Sequence, residues 1–309
     1  MQRLLIIGAG AIGGCIGGLL CNANKAVVLI ARGEHGRMIN REGLSVKFPD
    51  RIVHCHPECH PNLDAIQWCD SDVVLIATKL NDTQAVMNSL REFAGINVPI
   101  VCASNGIQGE KWAAQQFENV VSMMIWMPSV HLHPGDVRVY GQDCPGVLDV
   151  GPVCGSRAAD ISEELSQWLC EAGFDSVHRP DIARWKNSKW ITNLGNAAQA
   201  LVTDDWKSVA KAAQAEGEKV LDAVGMDRVS TDELLARAAH IKLKSIDGEQ
   251  RPGGSTWQSL QRGKPLETQW IEQAMAELAD AHNVAAPVCH AITQAAQNCR
   301  RVTAAEILN

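Results

Sequence analysis

One tyrosine and four phenylalanines are all that this 309-residue chain holds beside its nine tryptophans. No Lys/Arg cluster with interleaved aromatics is present, which excludes the groove a nucleic acid needs. The 28 basic residues are outnumbered by 35 acidic ones, for a net charge of −7, and such a surface repels phosphate backbones and anionic lipids. No apolar run is long enough to span a bilayer. The opening MQRLLIIGAG has only the run Leu4–Ile7 before a glycine, so it reads as a strand and not as a signal peptide. These absences point to a soluble, cytoplasmic protein with neither nucleic-acid nor membrane partners. Cysteine is plentiful by contrast. The eleven cysteines are an odd number scattered from Cys15 to Cys299 without framework spacing, as expected of reduced thiols. There is no internal repeat and no low-complexity linker.

What is present is a sizeable apolar fraction, 46%, in a chain long enough for two domains. The first half alternates short apolar runs with helical patterns. Strands are predicted at Leu4–Ile7, Ala26–Ile30, Val73–Ala77 and Val98–Ala103, with a small-residue helix at Ala11–Ala23. Continuous apolar runs bounded by turn residues fit strands buried on both faces of a parallel sheet. From Val137 the text VRVYGQDCPGVLDVG alternates and is broken by glycine and proline, like a hairpin edge, and Ile161–Ala172 reads as helix. Past Arg179 strand signals vanish, and helices are predicted over Lys189–Leu201, Ser208–Val224, Thr231–Ile246 and Glu267–His282. The expected fold is therefore α/β. A Rossmann-type doubly wound domain over residues 1–179 is followed by an all-α domain over residues 180–309. The helical half has enough amphipathic surface to form a homodimer, without showing which face would pair.

LLIIGAGAIGG places Gly8, Gly10 and Gly13 in G-x-G-x-x-G spacing directly between a strand and a helix. Gly8 permits the tight turn, Gly10 lets backbone amides approach a pyrophosphate, and Gly13 lets the helix pack on the strand. Ala11 and Ile12 open that helix, whose N-terminus favours the anion. Gly14, Gly17 and Gly18 continue the small-residue pattern, so a tightly packed core helix is the plainer reading of the same glycines. Where an NAD site usually has an acidic residue, after the second strand, stands Arg32. An arginine there suits a 2′-phosphate, so NADP is the expected cofactor. Lys25 and Arg37 would add to the positive field, whereas Glu34 is the alternative ribose ligand of an NAD site.

GAGAIGG, LIARGEHGRMINREGL, IATKLNDTQAV, SNGIQGE, HPGDVRVYG, KNSKWITNLGN and STWQSLQRGKPLETQWI, in this order, resemble the ketopantoate reductase family (2-dehydropantoate 2-reductases) over nearly the whole chain. The resemblance implies NADPH-dependent reduction of a small 2-keto acid, 2-dehydropantoate to pantoate, in pantothenate synthesis. It places the catalytic lysine at Lys189 and the carboxylate at Glu267. Asn105, Asn193 and Ser255 become substrate-binding residues, and Lys79 and Asn105 cofactor-side residues at the ends of two strands. The chemistry is self-consistent. A lysine ammonium both stabilises a developing alkoxide and delivers a proton, and a carboxylate holds it or binds a substrate hydroxyl. Four-residue spacing puts Lys189 and Asn193 on one helix face. Read singly, Lys186 and Lys189 are ordinary surface lysines and Glu267 a helix-face charge.

Three positions depart from the family pattern. Ala197 stands where a second asparagine is common, with Asn196 one position early on another helix face. Ser259 stands where an aspartate is usual, and Pro252 replaces an asparagine. Each removes a polar contact around the substrate, and Trp190 and Trp257 add apolar surface beside it. Other branched or aromatic 2-keto acids, or another hydroxy acid, therefore stay open, as does a non-catalytic NADP-binding protein. Finally, HCHPECH gathers His54, Cys55, His56, Cys59 and His60 within seven residues. No second ligand pair accompanies it, and the expectation is no metal.

Overall fold

The computed structural model describes residues 1–308, which form two compact units. The first comprises Met1–Ser104, Gln108–Ile182 and Leu235–Arg251, and the second Asn105–Ile107, Ala183–Leu234 and the residues from Pro252 onward.

The first unit contains strands β1 (Arg3–Ile7), β2 (Val27–Ile30), β3 (Leu44–Lys47), β4 (Ile52–Cys55), β5 (Glu58–His60), β6 (Asp72–Ile76), β7 (Ile100–Cys102), β8 (Val120–Trp126), β9 (Ser129–His133), β10 (Asp136–Val139) and β11 (Val147–Cys154). Seven of them form one sheet in the order β11-β8-β7-β6-β1-β2-β5, parallel except for β11, which runs antiparallel to β8. β1 is flanked by β2 on one side and β6 on the other, so the connections diverge at its carboxyl end. That is where open α/β sheets receive ligands. Leu4, Leu5 and Ile6 have no exposed surface, each contributing about 1.5–3 kcal/mol of burial.

Helices α1 (Ala11–Asn22), α2 (Gly33–Glu42), α3 (Leu80–Ala94), α4 (Gln108–Ala114) and α5 (Ala158–Glu171) complete this unit's regular elements. α1 lies between the large sheet and a second, four-stranded sheet of order β4-β3-β10-β9. A Cβ at Gly17 would stand 2.5 Å from Leu29 of the large sheet, and one at Gly18 2.7 Å from Val46 of the small one. The plainer reading of the later glycines thus holds for Gly17 and Gly18, which let two sheets close on one helix.

The residues read as one hairpin from Val137 belong to two sheets. β10 pairs with β3 and β9, and β11 with β8. Alternation set the strand faces but not the partner. The segment HCHPECH forms β4 and β5. Cys55 and Cys59 turn into the core, and burial pushes their thiols up to about 12 and about 11. His54 meets Ser45 at 3.1 Å and His60 meets Glu58 at 2.7 Å. Cys55 and Cys59 thus face the core, whereas the His54 and His56 rings meet edge to face outside it, 5.1 Å apart.

The second unit is built on α6 (Ile182–Asn193), α7 (Gly195–Leu201), α8 (Trp206–Ala223), the first half of α9 (Thr231–Ala238), α10 (Ser255–Gln261), α11 (Glu272–Ala281), α12 (Pro287–Gln297) and α13 (Ala304–Leu308). Its core alternates Leu and Ile with alanines, among them Leu194, Ala198, Leu201, Ala213, Leu221, Met275 and Ile292. Among the described residues no helix is long and apolar enough to cross a membrane.

Three helix expectations are corrected. Lys189–Leu201 is two helices, broken at Leu194 by an N–H to Ile191 carbonyl bond, in a stretch of Asn and Gly with weak helix preference. Thr231–Ile246 ends at Ala238, after which Gln142 N–H donates to the Lys242 carbonyl and Lys244 N–H to the Tyr140 carbonyl. Residues 235–251 consequently belong to the first unit, although the sequence reading placed all of 180–309 in one domain. Glu267–His282 begins with a 3-10 turn, Thr268–Trp270, preceding α11.

The returning segment is clamped by charge. Arg237 donates to both oxygens of the wholly buried Asp149, at 2.7 and 3.0 Å, and to Asp175. Arg179 donates to Asp149 at 2.5 Å. Hydrogen bonds from Arg237 hold the Asp175 carboxyl below the usual range.

Candidate active site

In the first unit, β1 ends at Gly8, whose φ of +95° lies in the left-handed region that favours glycine. A Cβ at Gly13 would fall 2.1 Å from the Gly8 carbonyl oxygen, so helix and strand approach only because that atom is missing. Gly10 differs. It is the N-cap of α1, and a Cβ there would meet nothing within 4 Å. The protein's own packing does not demand glycine at position 10, so what remains is room for a group outside the chain. Ala11 and Ile12 form the first turn, which contains no acidic side chain. The donor set suits a pyrophosphate.

A residue the sequence did not single out fixes this loop. Gly135 N–H donates to His35 Nδ1 at 2.9 Å, which makes Nδ1 the acceptor and Nε2 the donor to the Ala9 carbonyl at 2.7 Å. His35 thus ties the centre of Gly8-Ala9-Gly10 to the turn between β9 and β10. Nothing in the local spelling GEHG signals a bond across 100 residues.

Arg32 is the N-cap of α2, with its side chain 80% exposed and Asp82 3.9 Å away. Glu34, the alternative ribose ligand, is held by Arg37 at 2.6 Å, so these two charges offset each other. Lys25 is engaged by Glu171 and lies over the Trp168 ring, 5.1 Å from its centre. Of the three cations expected around a 2′-phosphate, Arg32 has the longest carboxylate contact and the most exposed side chain. Lys79 is the exposed N-cap of α3, just beyond β6.

In the second unit, Lys189 lies half-buried on α6 and donates to Asn193 Oδ1 at 3.2 Å. Asn193 is buried, and its amide nitrogen donates to Asn105 Oδ1 at 3.1 Å. The helix face inferred from four-residue spacing is present as a hydrogen bond. Asn196 corrects the sequence reading. Because the helix restarts after Leu194, Asn196 does reach the cluster and donates to Asn193 Oδ1 at 3.4 Å. Ser255 opens α10, and the N–H of its neighbour Gly254 donates to Gln199 Oε1 at 2.9 Å. Glu267 is buried at the cap of the 3-10 turn, where its carbonyl accepts from Trp270 N–H. Lys186 is buried as well, so neither it nor Glu267 is the surface charge a single-residue reading suggests. Trp190 is a core residue whose indole donates to the Ile271 carbonyl at 3.1 Å.

A lysine fed by directional amides, with a buried carboxylate and a serine in the same unit, can deliver a proton to an oxygen that is gaining negative charge. The family described as "Ketopantoate reductase PanE/ApbA" matches residues 4–153, and its C-terminal counterpart matches residues 184–299. A 2-dehydropantoate 2-reductase of Pyrococcus horikoshii is 26% identical over 93% of this chain and 94% of its own. The fold is shared with a PanE/ApbA family ketopantoate reductase of Ralstonia eutropha JMP134, at TM-score 0.78 and 21% identity over 96% and 97% of the two chains. It is also shared with a D-mandelate dehydrogenase solved with NADH and anilino(oxo)acetate, at TM-score 0.80 and 20% identity over the same shares.

Proposed function

Because the chain belongs to the ketopantoate reductase family and is an oxidoreductase of the 2-dehydropantoate 2-reductase type, we propose that it reduces 2-dehydropantoate to pantoate with NADPH, as in pantothenate synthesis. The observation that carries the reading is the chain Lys189–Asn193–Asn105, which aims a half-buried lysine with two amides.

The amides of Gly10, Ala11 and Ile12 would hold the pyrophosphate and Arg32 the 2′-phosphate, and Lys79 and Asn105 are the further residues assigned to the cofactor. When bound there, the nicotinamide would supply the hydride that C2 of the keto acid requires. Lys189 gives its proton to the carbonyl oxygen as that oxygen becomes an alkoxide, and recovers one from solvent after release. Ser255 meets the substrate carboxylate, and Glu267 holds the lysine or a substrate hydroxyl. A second reading, another branched or aromatic 2-keto acid, is favoured by Trp257, half-buried two residues from Ser255 on α10 and packed against Gly253.

The test is NADPH oxidation followed by absorbance with 2-dehydropantoate, then with pyruvate, 2-ketoisovalerate and benzoylformate, each repeated with NADH. Turnover of 2-dehydropantoate at least tenfold better than the others supports the first reading, and a preference for benzoylformate the second. Arg32→Ala is expected to lower the NADPH-over-NADH ratio of kcat/KM about 10- to 100-fold, the range of a lost charge-assisted bond. An unchanged ratio would move the phosphate elsewhere. Gly10→Ala should leave thermal stability within about 1 °C yet weaken NADPH binding roughly tenfold. Gly13→Ala should lower both, because its Cβ collides with backbone. Equal Tm losses for the two would contradict the distinction.

A further inference from the structure

Glu272, at the start of α11, is more deeply buried than Glu267 or Glu216, at 1% exposure. Its Oε1 accepts the Ala197 N–H at 3.3 Å, in the first turn of α7. Its Oε2 is buried without a hydrogen-bond partner. An ionised carboxylate in that position would hold its charge against an apolar core with one oxygen unsatisfied, whereas a neutral acid loses far less. Burial pushes the Glu272 carboxyl up to about 8, and the nearby Glu267 charge acts in the same direction. The other titratable groups around it give it no reason to ionise. On α12, burial drives the Cys289 thiol upward, with Glu216 and Glu272 adding to the effect. On α8, Glu216 is engaged by the N–H groups of Val288 and Cys289, both at 2.9 Å.

Glu272 is also tied to the reactive lysine. It holds the start of α7. One residue earlier in that turn, Asn196 reaches Asn193, and Asn193 accepts from Lys189. We infer that Glu272 is a positioning residue of the proposed reduction, a neutral acid that sets α7 and thereby the Asn196–Asn193 amides around Lys189. The inference rests on the keto-acid reductase reading for its link to turnover, but not for the state of the carboxyl. When Glu272 ionises, the core must accommodate a charge, the start of α7 loosens, and Lys189 loses its alignment.

The experiment compares wild type, Glu272→Gln and Glu272→Leu. The readouts are the pH profile of kcat, hydrogen exchange of the segment 194–201, and Tm against pH. Gln keeps an acceptor and cannot ionise. It should hold kcat near pH 7 within about threefold and move the alkaline decline upward by about one pH unit. Leu should speed exchange of 194–201 about tenfold and lower kcat at least tenfold with KM nearly unchanged. A carboxyl raised in the folded state favours folding below its ordinary range, and that contribution is lost as pH rises through about 8. Wild type should therefore lose Tm relative to Glu272→Gln across that interval. An alkaline limb identical in wild type and Glu272→Gln, or wild-type exchange in Glu272→Leu, overturns the proposal. If wild type turns over none of the keto acids, the function reading fails, and exchange with Tm still decides the role of Glu272.

Discussion

Lys189→Ala should bind NADPH with a dissociation constant within about twofold of wild type and lose roughly a thousandfold in kcat, within the usual range for removing a general acid. The two halves of the result come from different places. The glycine-rich turn and Arg32 belong to the first unit and are untouched, whereas Lys189, the proposed proton donor, is on α6 of the second. Lys189→Arg refines the test. It keeps the positive charge but does not give up a proton near neutrality. If charge alone stabilises the alkoxide, arginine recovers most of the activity, and if proton delivery limits the rate it recovers little. Nucleotide binding is read by NADPH fluorescence and turnover by absorbance. Retention of more than a tenth of wild-type turnover by Lys189→Ala would remove Lys189 from the acid's role.

The largest structural loss is expected at Asp149. Asp149→Asn keeps the shape but removes the charge that faces Arg179 and Arg237, and its oxygens also accept the Val177 N–H at 3.1 Å. Breaking one side of a buried ion pair costs about 3–5 kcal/mol, because the remaining charge is stranded in place. For a unit of this size that is a fall of roughly 10 °C in Tm. The pH dependence has a definite sign. Asp175 is held below its ordinary range by Arg237, so its contribution is present above that range and is lost as pH falls through it. Wild type and Asp149→Asn both keep the Arg237–Asp175 contact, so both should lose Tm, followed by circular dichroism, as pH falls through that range. A Tm gap between the two under about 3 °C at neutral pH would mean that the arginines find water instead.

The parts legible in the sequence are those whose constraint is local. Gly8 and Gly13 could be read because a backbone turn and a helix–strand approach leave few residue choices, and the strands beside them because both faces are buried. Lys189 and Asn193 were picked out by the family resemblance, and helical spacing then put them on one face, where they share a hydrogen bond. Asn196 was misplaced because the same periodicity was carried through Leu194, where the helix restarts. Strand alternation from Val137 gave the right local shape and the wrong partner, since facing is local and pairing is not. Glu272 was passed over because a glutamate in a helical pattern reads as solvated until Ala197, 75 residues away, is seen to stand against it. His35 and Gly135, like Asp149 and Arg237, meet only after the chain has folded.

The return of residues 235–251 to the sheet-bearing unit also bears on how the molecule is made. A ribosome that has released residue 182 has delivered all eleven strands, yet Asp149 is then faced by Arg179 without Arg237. The last counter-charge arrives only after the first three helices of the other unit, α6 to α8, have been synthesised. The nascent sheet must therefore wait in an incompletely neutralised state while later residues emerge, an interval in which chaperones would find it exposed. Cutting the gene at the apparent domain junction would make that transient condition permanent.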